Sequence, residues 1–386
     1  MRILYVHNGS DLYGASRSLL RLVTGLDRKR FDPYVLLPSD GPLAAALAEA
    51  AVPVLVMPSL SVVTRPVMRS WRLVPFLLRF PLSVLSVAWA IRRLRIDLVH
   101  TNVAPLVSVA AATRLARVRH VWHLREFFHE FGPLWKVYRR YMLACAEKIL
   151  CVSTPVAAQF PADTGKVVIL HNGLSLEEFQ PVSADRVHRF RDRYGLNGWR
   201  LVGVVGRIKA HRKGQDVFVN AVAELKRRGI DGGVKFVIVG SPFPGNEDHL
   251  TGLCEQIRVL QIADDVVLTG DVDDVKAAIA SLDVLVLPSA APEPFGGVVL
   301  EAMALGVPVV GTQIGGTIEQ IDDGRTGMLV EPGNALELAD AIERVLTDEA
   351  FRSSAGAAGR RRVEERFALP GMIARLEGIY REVLSA

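Results

Sequence analysis

Residues 288–308 read PSAAPEPFGGVVLEAMALGVP, and this segment decides the fold class. It follows a short apolar run, Val284–Leu287, crosses a loop bounded by prolines, and opens a helix at Gly296 and Gly297. A second apolar run, Val307–Val310, comes directly after it. This order of apolar run, glycine-rich turn, helix and apolar run is typical of a βαβ unit in a parallel sheet.

The start of this helix suits a phosphate group. The first N–H groups of a helix lack backbone partners and carry partial positive charge, and Gly296 and Gly297 let a phosphate approach them closely. Glu301 lies about one turn into the helix, where its carboxylate can accept hydrogen bonds from both hydroxyls of a ribose. Glu293 lies in the preceding loop, placed to reach a sugar beyond the phosphates.

Short apolar runs alternate with amphipathic stretches along the whole chain, which predicts α/β architecture with parallel sheets. The predicted strands of the first half are Arg2–Val6, Tyr34–Leu37, Val54–Val56, Leu98–His100, His120–His123 and Ile149–Val152. Those of the second half are Arg200–Val205, Lys235–Val239, Val266–Leu268, Val284–Leu287, Val307–Val310 and Met328–Val330. Predicted helices include Ala15–Thr24, Pro42–Ala50 and a terminal helix over Pro370–Leu384. The break between the halves falls near Asn172–Asn197.

Length and composition bound the class of protein. A chain of 386 residues is too long for one compact core and predicts two domains. Three cysteines without a Cys-x-x-Cys spacing support neither a disulfide framework nor a zinc site, so we expect a reducing, cytoplasmic setting. The apolar run Met1–Val6 is too short for a signal peptide and is expected to form the first strand.

Charge is distributed unevenly between the halves. Residues 1–184 hold 22 Lys and Arg against 12 Asp and Glu, whereas the remainder holds 24 against 29. The basic first half predicts an anionic partner. Because no aromatic-basic RNA motif or helix-turn-helix pattern is present, nucleic acid is not expected, and a membrane surface or a phosphorylated lipid is favoured.

Residues 71–95 are strongly apolar and have arginines on both sides. Their longest uninterrupted run is 12 residues, well below the roughly 20 needed to span a bilayer. The favoured interpretation is a buried helix over Ser83–Arg93 with a basic surface loop. The second interpretation is an interfacial segment on anionic lipid, in which Thr64–Arg79 touches the membrane.

A cationic loop follows the predicted strand that ends at Gly206, in the run GVVGRIKAHRKG (203–214). A departing diphosphate gains negative charge, so fixed cations at a strand end would lower the barrier to its release. Arginine offers a planar fork to two oxygens, and lysine offers a point charge. Such a loop is usually solvated surface, but its position after a central strand favours a site. Lys209 and Arg212 are expected to remain on the surface.

In the first half, GSDLYGAS (9–16) links the first strand to the first helix. It lacks the Gly-Lys-Ser/Thr of a P-loop and the Gly-x-Gly-x-x-Gly of a dinucleotide fold. His100 and His123 lie at strand ends, where open α/β sheets bind ligands, although a single histidine is more often structural. Arg125 and Glu126 follow the same strand and are acceptor-side candidates, together with His100.

The pair Glu293 and Glu301 surrounds Pro-Phe-Gly and is followed by AMALGVPVV (302–310). This pattern resembles the signature of glycosyltransferase family four, a GT-B group of retaining enzymes. The runs GGTIE (315–319) and DGRTGMLV (323–330), and Phe367 with the terminal helix, continue the resemblance over essentially the whole chain. It implies two Rossmann-like doubly wound domains facing across a cleft, with the C-terminal helix crossing back to the N-terminal domain.

The resemblance also implies roles for individual residues. Glu293 would contact the donor sugar and Glu301 the ribose, while Arg207 and Lys213 would hold the leaving diphosphate. The expected contacts to the diphosphate or sugar from the backbone are those of Phe295, Gly296 and Gly297. His123 would lie against the donor sugar. The family often carries paired glycines where this chain has Tyr13 and Gly14, so only Gly14 matches.

These observations predict a retaining glycosyltransferase that moves a sugar from a UDP- or GDP-sugar to a hydroxyl acceptor. The expected acceptor is a glycan or lipid-linked molecule of the cell envelope, and the expected location is the cytoplasm, peripheral to the inner face of the membrane. No cofactor or metal is expected, since the cations are built in and no Asp-x-Asp motif is evident. The predicted domains are residues 1–180 and 181–369, with the terminal helix over 370–386.

Other classes use some of the same features. A retaining glycoside hydrolase needs two carboxyl groups about 5–5.5 Å apart, but it would leave Arg207 and Lys213 without a role. Glycan phosphorylases carry pyridoxal phosphate on a lysine, and no lysine here has a recognisable context for it. A non-catalytic protein that binds a sugar or nucleotide is the third possibility.

Overall fold

The computed structural model describes residues 1–63, 73–128, 132–230 and 232–385. They form two compact units. The first unit is Met1–Gly173 with the chain from Leu369 onward, and the second unit is Leu174–Ala368. The sequence placed these boundaries at 180/181 and 369/370.

The first unit contains a seven-stranded parallel sheet in the order β3-β2-β1-β4-β5-β6-β7. Its strands are β1 (Arg2–Val6), β2 (Asp32–Leu37), β3 (Val54–Val56), β4 (Leu98–Thr101), β5 (Arg119–Leu124), β6 (Lys148–Cys151) and β7 (Val167–Ile169). Its described helices are α1 (Gly14–Gly25), α2 (Pro42–Glu49), α3 (Leu73–Arg93), α4 (Val107–Ala116), α5 (Pro133–Cys145), α6 (Thr154–Ala157) and, at the end of the chain, α16 (Leu369–Ser385).

The second unit contains a six-stranded parallel sheet in the order β10-β9-β8-β11-β12-β13. Its strands are β8 (Arg200–Val205), β9 (Val234–Val239), β10 (Val266–Gly270), β11 (Val284–Leu287), β12 (Val309–Thr312) and β13 (Gly327–Val330). Its described helices are α7 (Ala184–Arg193), α8 (Ala210–Lys213), α9 (Gln215–Arg227), α10 (Asp248–Val259), α11 (Val275–Ala280), α12 (Gly297–Ala304), α13 (Thr317–Gln320), α14 (Ala335–Thr347) and α15 (Glu349–Arg366).

Both sheets are covered on two faces, which explains why their strands are nearly continuous apolar runs. In the first unit, one core packs α1, α2 and α16 on the sheet, and the other packs α3 and α4 on its opposite side. The strand order reverses between β1 and β4 in the first unit and between β8 and β11 in the second. In a doubly wound sheet, ligands bind beside the carboxyl ends of strands at such a reversal. The predicted α/β fold class with parallel sheets is confirmed.

The terminal helix α16 completes the first core. Met372, Ile373, Leu376 and Tyr380 are buried with residues of β1, α1 and β2. The Tyr380 hydroxyl lies 2.9 Å from that of Tyr5, in the middle of β1. The helical spacing seen over Pro370–Leu384 therefore corresponds to a helix whose apolar face is a layer of the first unit.

The interpretation of residues 71–95 needs correction. The predicted buried helix over Ser83–Arg93 is the second half of one longer helix, α3, which runs through Pro81. Among the described residues, one helix is long and apolar enough to cross a membrane by length and composition, Val74–Arg93, and 28% of it is buried. Residues 64–72, part of the predicted membrane-contacting segment, lie outside the described residues.

Candidate active site

The loop that carries Glu293 runs from the end of β11 to the start of α12. The Gly316 amide donates to the carbonyl oxygen of Glu293 at 2.8 Å. Beside it, Gly315 has φ +62°, and an added Cβ would lie 2.7 Å from the backbone nitrogen of Glu293. Only glycine combines this backbone conformation with so close an approach. The loop after β12 therefore fixes the backbone from which the Glu293 carboxylate projects.

Lys213 is the last residue of α8, and its ammonium group lies 2.5 Å from Oε2 of Glu293. The exposed fractions of the two side chains are 33% and 19%. The next residue, Gly214, has φ +74°, and a Cβ there would lie 1.7 Å from the carbonyl oxygen of Pro288. The loop after β8 is thus packed directly on the loop after β11, and this packing brings the predicted lysine and glutamate together.

The start of α12 lies at the end of the same loop. The side-chain amide of Gln320 donates to the Gly296 carbonyl oxygen at 3.1 Å. The ring of Phe295 is buried, with its centroid 5.9 Å from that of Phe367. Gly297 is exposed, and a Cβ there would meet nothing within 4 Å. Gln320 therefore fixes the first residue before α12 by a hydrogen bond, and the start of the helix is accessible at Gly297.

The other two predicted residues of this unit lie on the same elements. Arg207 follows the end of β8, is partly exposed, and stacks its guanidinium 4.7 Å from the ring centroid of Phe243. Glu301 lies one turn into α12 and is partly buried. Arg207 and Lys213 share the loop after β8, but it is Lys213 that makes the ion pair with Glu293.

In the first unit, the structure joins His100, His123 and Arg125 in one buried network. Nε2 of His100 and Nη2 of Arg125 each lie 3.3 Å from Nδ1 of His123. Arg125 also donates to Oδ1 of Asn102 and to Ser18, and its Nη1 donates to Oδ1 of Asn172. Arg125, predicted as an acceptor contact, is therefore a buried residue that organises the carboxyl ends of β4 and β5.

Burial and the Arg125 charge set the protonation of this network. Burial first, and then the nearby guanidinium, hold the pKa of His100 and His123 well below the ordinary value, so both rings are neutral at pH 7. Burial lowers the pKa of Arg125 itself to about 10. Burial raises the pKa of Glu126 to about 7, against the lowering effect of hydrogen bonds from the backbone amides of Arg125 and Ala104.

The loop before α1 forms a second polar cluster. Asp11 accepts from the Tyr13 amide and the Ser16 hydroxyl, and the Ser16 hydroxyl lies 3.0 Å from Nε2 of His7. Gly14 begins α1, and a Cβ there would meet nothing within 4 Å. The space beside Gly14 is therefore open at the start of α1, which follows the carboxyl end of β1.

Comparison with known proteins supports one family over most of the chain. A family model described as "Glycosyl transferases group 1" matches residues 200–348, and one described as "Glycosyltransferase Family 4" matches residues 13–178. The chain is 30% identical over 292 residues to a GDP-mannose-dependent alpha-(1-6)-phosphatidylinositol monomannoside mannosyltransferase of Mycobacterium tuberculosis, covering 72% of this chain and 74% of that protein. The chain belongs to glycosyltransferase family 4, group 1.

One further relative and one solved structure are similar to this glycosyltransferase. It is 34% identical over 213 residues to an alpha-D-kanosaminyltransferase of Streptomyces kanamyceticus, a match that spans 54% of this chain and about half (53%) of that relative. The crystal structure of Anabaena HepE in complex with UDP and glucose superposes with a TM-score of 0.84, at 24% identity, over 99% of each chain. The glycosyltransferase therefore has the GT-B fold, as predicted, and the family assignment from Glu293 and Glu301 is confirmed. Membership in the family sets the hydrolase alternative aside.

Several polar residues near the candidate site were not predicted from the sequence. In the part of the chain that the structure describes, the buried side-chain atoms Ser289 Oγ, Thr317 Oγ1 and Gln320 Oε1 have no hydrogen-bond partner. A buried polar atom without a protein partner is costly unless a ligand or water satisfies it. Ser289 lies in the loop that carries Glu293, and Thr317 and Gln320 follow Gly316. Serine, threonine and glutamine occur in most loops, so the sequence held no signal for them.

The described residues also bear on metal binding. Within those ranges, no group of three or more His, Cys, Asp or Glu side chains is placed to hold a metal ion. The expectation that the glycosyltransferase works without a metal stays a prediction, and chelation tests it below.

Proposed function

We propose that this glycosyltransferase moves a hexose from a UDP- or GDP-sugar to a hydroxyl group, with retention of anomeric configuration and without a metal ion. The observation that carries the proposal is the contact of 2.5 Å between Lys213 and Glu293, beside a helix start that opens at Gly297. A cation, a carboxylate and free backbone N–H groups in one place fit a diphosphate joined to a sugar.

The proposed chemistry breaks the bond between the anomeric carbon and the diphosphate oxygen, and the electron pair leaves with that oxygen. Arg207 and Lys213 stabilise the negative charge that develops there. The acceptor hydroxyl attacks from the face that the diphosphate leaves, and its proton passes to a phosphate oxygen. Glu293 binds the sugar, and Glu301 binds the ribose hydroxyls. Charge neutralisation by side chains does the work that a divalent cation does in metal-dependent transferases.

The donor and acceptor classes are supported by the relatives. HepE binds UDP and glucose, and the mycobacterial relative is a GDP-mannose-dependent enzyme acting on a phosphatidylinositol monomannoside. The basic half of the sequence suits an acceptor that is lipid-linked or anionic. We therefore place the reaction in the synthesis of a cell-envelope polysaccharide or glycolipid, at the cytoplasmic face of the membrane.

The decisive experiment is a donor screen followed by product analysis. Thermal stabilisation by UDP- and GDP-sugars identifies the donor, and release of the nucleotide on addition of acceptor establishes transfer. The anomeric configuration of the product, read by NMR, tests retention. A protein that is stabilised by a donor but never releases nucleotide in the presence of any acceptor would be a binding protein, which refutes the proposal.

Matched variants test the site and the metal prediction. Lys213→Ala and Glu293→Ala should each lower kcat by at least about 100-fold, because both act where charge develops. Lys209→Ala is the control, since Lys209 lies in the same loop and is exposed. Turnover should persist in EDTA. Loss of turnover on chelation, restored by Mg²⁺ or Mn²⁺, would overturn the metal-free mechanism.

A further inference from the structure

The outer face of α3 is apolar from Val74 to Trp89. Leu78 is 76% exposed, and the other five large apolar side chains of this face are also more than half exposed. Each of them lies three or four residues from another member of the set, which places all six on one side of the helix. We call this surface the α3 stripe: Val74, Leu77, Leu78, Leu82, Leu85 and Trp89. A contiguous exposed apolar surface of this kind marks a contact site.

The opposite face fixes α3 to the folded protein. Ser83, Val87 and Ile91 are buried, the last two in the core that α3 shares with α4. The Ser83 hydroxyl lies 2.9 Å from both the Ser61 amide and the Ser108 hydroxyl. Because the helix lies along the sheet layer and is anchored by buried polar contacts, its apolar stripe is a surface of the folded unit.

The charged residues of the sequence segment that contains the α3 stripe are all basic. Between Glu49 and Asp97 the sequence contains no Asp or Glu and seven arginines, of which Arg79, Arg92 and Arg93 lie on α3 and are exposed. The Arg93 guanidinium lies 4.9 Å from the ring centroid of Trp89. An apolar stripe with a tryptophan and exposed arginines on the same helix complements acyl chains beneath anionic headgroups.

We propose that the α3 stripe docks on an anionic lipid bilayer, with its apolar side chains at the acyl boundary and Arg79, Arg92 and Arg93 at the lipid phosphates. This deepens the proposed peripheral location and names the surface responsible. Binding needs neither donor nor acceptor, so it is measured without turnover.

Vesicle sedimentation tests the docking surface. The full chain should pellet with phosphatidylcholine vesicles that contain phosphatidylglycerol, and far less with phosphatidylcholine alone. The double variant Leu78→Gln/Leu85→Gln should lower the partition coefficient by at least about 10-fold, because it removes two apolar side chains from the acyl boundary. The matched control is Val259→Gln/Leu336→Gln, which removes two apolar side chains that are 64% and 60% exposed on the second unit.

Two further measurements sharpen the outcome. Brominated acyl chains should quench a fluorescence component that is lost in Trp89→Phe. The variant Arg79→Gln/Arg93→Gln should reduce binding to anionic vesicles and its dependence on salt, unlike Arg375→Gln on α16. The proposal is overturned if the unaltered chain stays in the supernatant, or if the leucine variant pellets like its control. It is also overturned if that variant converts a dimer to a monomer, since the stripe would then be a self-association surface.

A second inference comes from the buried chain of side chains that links α16 to His123. The Tyr5 hydroxyl lies 2.9 Å from that of Tyr380, and the Tyr380 hydroxyl lies 2.6 Å from Nδ1 of His100. Nε2 of His100 lies 3.3 Å from Nδ1 of His123. All four side chains are fully buried. These side chains contact one another directly. Each hydrogen bond therefore needs a donor on one side and an acceptor on the other, and the choice made at one bond limits the choice at the next.

Donor chemistry fixes the direction of every bond in this chain. A guanidinium only donates, so Nδ1 of His123 accepts from Arg125 and the proton of the neutral His123 ring is on Nε2. The single lone pair of that nitrogen is shared with a second donor, the Nε2–H of His100, and both distances are accordingly long at 3.3 Å. Nδ1 of His100 is then left to accept from the Tyr380 hydroxyl. The Tyr380 oxygen is left to accept from Tyr5. One arrangement of protons satisfies all five groups.

The structure assigns His123 as a hydrogen-bond donor through Nε2, and Tyr380 as a positioning residue that holds it in that form through His100. Nε2 of His123 is fully buried and has no partner among the residues that the structure describes. The assignment rests on the proposed function for its ligand, which is an oxygen atom of a bound substrate. A hydrogen-bond donor at this position favours a substrate that offers such an oxygen over one that lacks it.

Histidine tautomers can be read directly from protein labelled with ¹⁵N in its nine histidines. Long-range proton–nitrogen correlations should show His100 and His123 neutral and protonated at Nε2, with signals assigned from His100→Gln and His123→Gln. Tyr380→Phe removes the donor to His100 and should give His100 a mixture of tautomers. Tyr5→Phe is the matched control, because it removes a buried hydroxyl from the same chain but leaves Tyr380 bonded to His100.

Turnover gives an independent readout of the same assignment. Tyr380→Phe should lower kcat about two- to five-fold, the effect of weakening one hydrogen bond, and more than Tyr5→Phe does. The assignment is overturned if His123 carries its proton on Nδ1, or if the two phenylalanine variants give the same tautomer spectra. An intact tautomer pattern in a protein that transfers no sugar would refute the proposed function alone.

Discussion

Replacing Gly214 with alanine should destabilise the second unit more than replacing Gly229, which has the same backbone geometry. Gly214 has φ +74°, and Gly229 has φ +76°. The left-handed conformation costs an alanine about 1–2 kcal/mol at either position. At Gly229 the new Cβ meets nothing within 4 Å, whereas at Gly214 it would lie 1.7 Å from the Pro288 carbonyl oxygen. Gly229→Ala therefore isolates the conformational cost.

The steric cost at Gly214 comes from the close packing of two loops. The α8–α9 junction and the end of β11 must separate by more than about 1 Å to admit a methyl group, and overpacking of this kind costs about 1–3 kcal/mol. The expected loss of unfolding free energy is about 2–5 kcal/mol for Gly214→Ala and about 1–2 kcal/mol for Gly229→Ala. The effect of alanine on the entropy of the unfolded chain is common to both and cancels in the comparison.

Urea unfolding followed by Trp199 fluorescence measures this difference, because Trp199 is the single tryptophan in the sequence of the second unit. Lys213 precedes Gly214, so separation of the loops should also weaken donor binding more in Gly214→Ala than in Gly229→Ala. Equal losses of stability in the two variants would refute the reasoning, since the contact with Pro288 would then contribute nothing.

Three further outcomes are expected. A double-mutant cycle with Lys213→Met and Glu293→Gln should give a coupling of about 1 kcal/mol in the urea midpoint of the second unit, and a coupling of zero would contradict the ion pair. Burial raises the pKa of Glu126 to about 7, so the native protein should lose about 1–3 kcal/mol of unfolding free energy as pH rises from about 4.5 to about 7. Glu126→Gln should abolish that loss. If the unfolding free energy of this variant varied with pH as it does in the unaltered protein, the raised pKa of Glu126 would be refuted. Arg186→Met breaks a bidentate pair with Asp274 at 2.7 Å that is over a third exposed, so it should cost less than about 1 kcal/mol, and a larger loss in denaturation would contradict this estimate.

The sheets were predictable because both faces of each strand are buried. Arg2–Val6, Arg200–Val205 and Val284–Leu287 were predicted with the bounds that the structure has. A strand buried on both faces is an unbroken apolar run, and such a run can be recognised in the sequence without knowing which strands pair with it. Strand order was beyond such reading, since it depends on contacts between distant segments.

The helix α3 shows where hydropathy alone fails. Its apolar residues lie on both faces, so the sequence around Leu78 and Leu85 looks like that of a core helix. The structure buries Ser83 and Val87 and leaves the leucines exposed. The neighbouring elements, here α4, decide which face of a uniformly apolar helix is buried. The sequence of the helix alone does not predict that face.

For the candidate site, the sequence named residues but not their contacts. Glu293, Lys213 and His123 were named from motifs and strand ends. The ion pair between Lys213 and Glu293 joins residues 80 apart in the chain, and the network around His123 reaches Tyr380 on α16. Such pairings depend on the fold, so the sequence could name the groups but not their hydrogen-bond partners.

The position of α16 has a consequence for how the protein is made. Its residues fill the core of the first unit, yet they are synthesised only after the whole of the second unit. During translation, Leu22 and Val35 of that core lack their contacts with Leu376 and Tyr380 until nearly two hundred further residues (Leu174–Ala368) have been synthesised. The nascent first unit therefore exposes an apolar surface until α16 is synthesised and packs on it. A chaperone that binds exposed apolar segments should associate with the nascent chain during that interval.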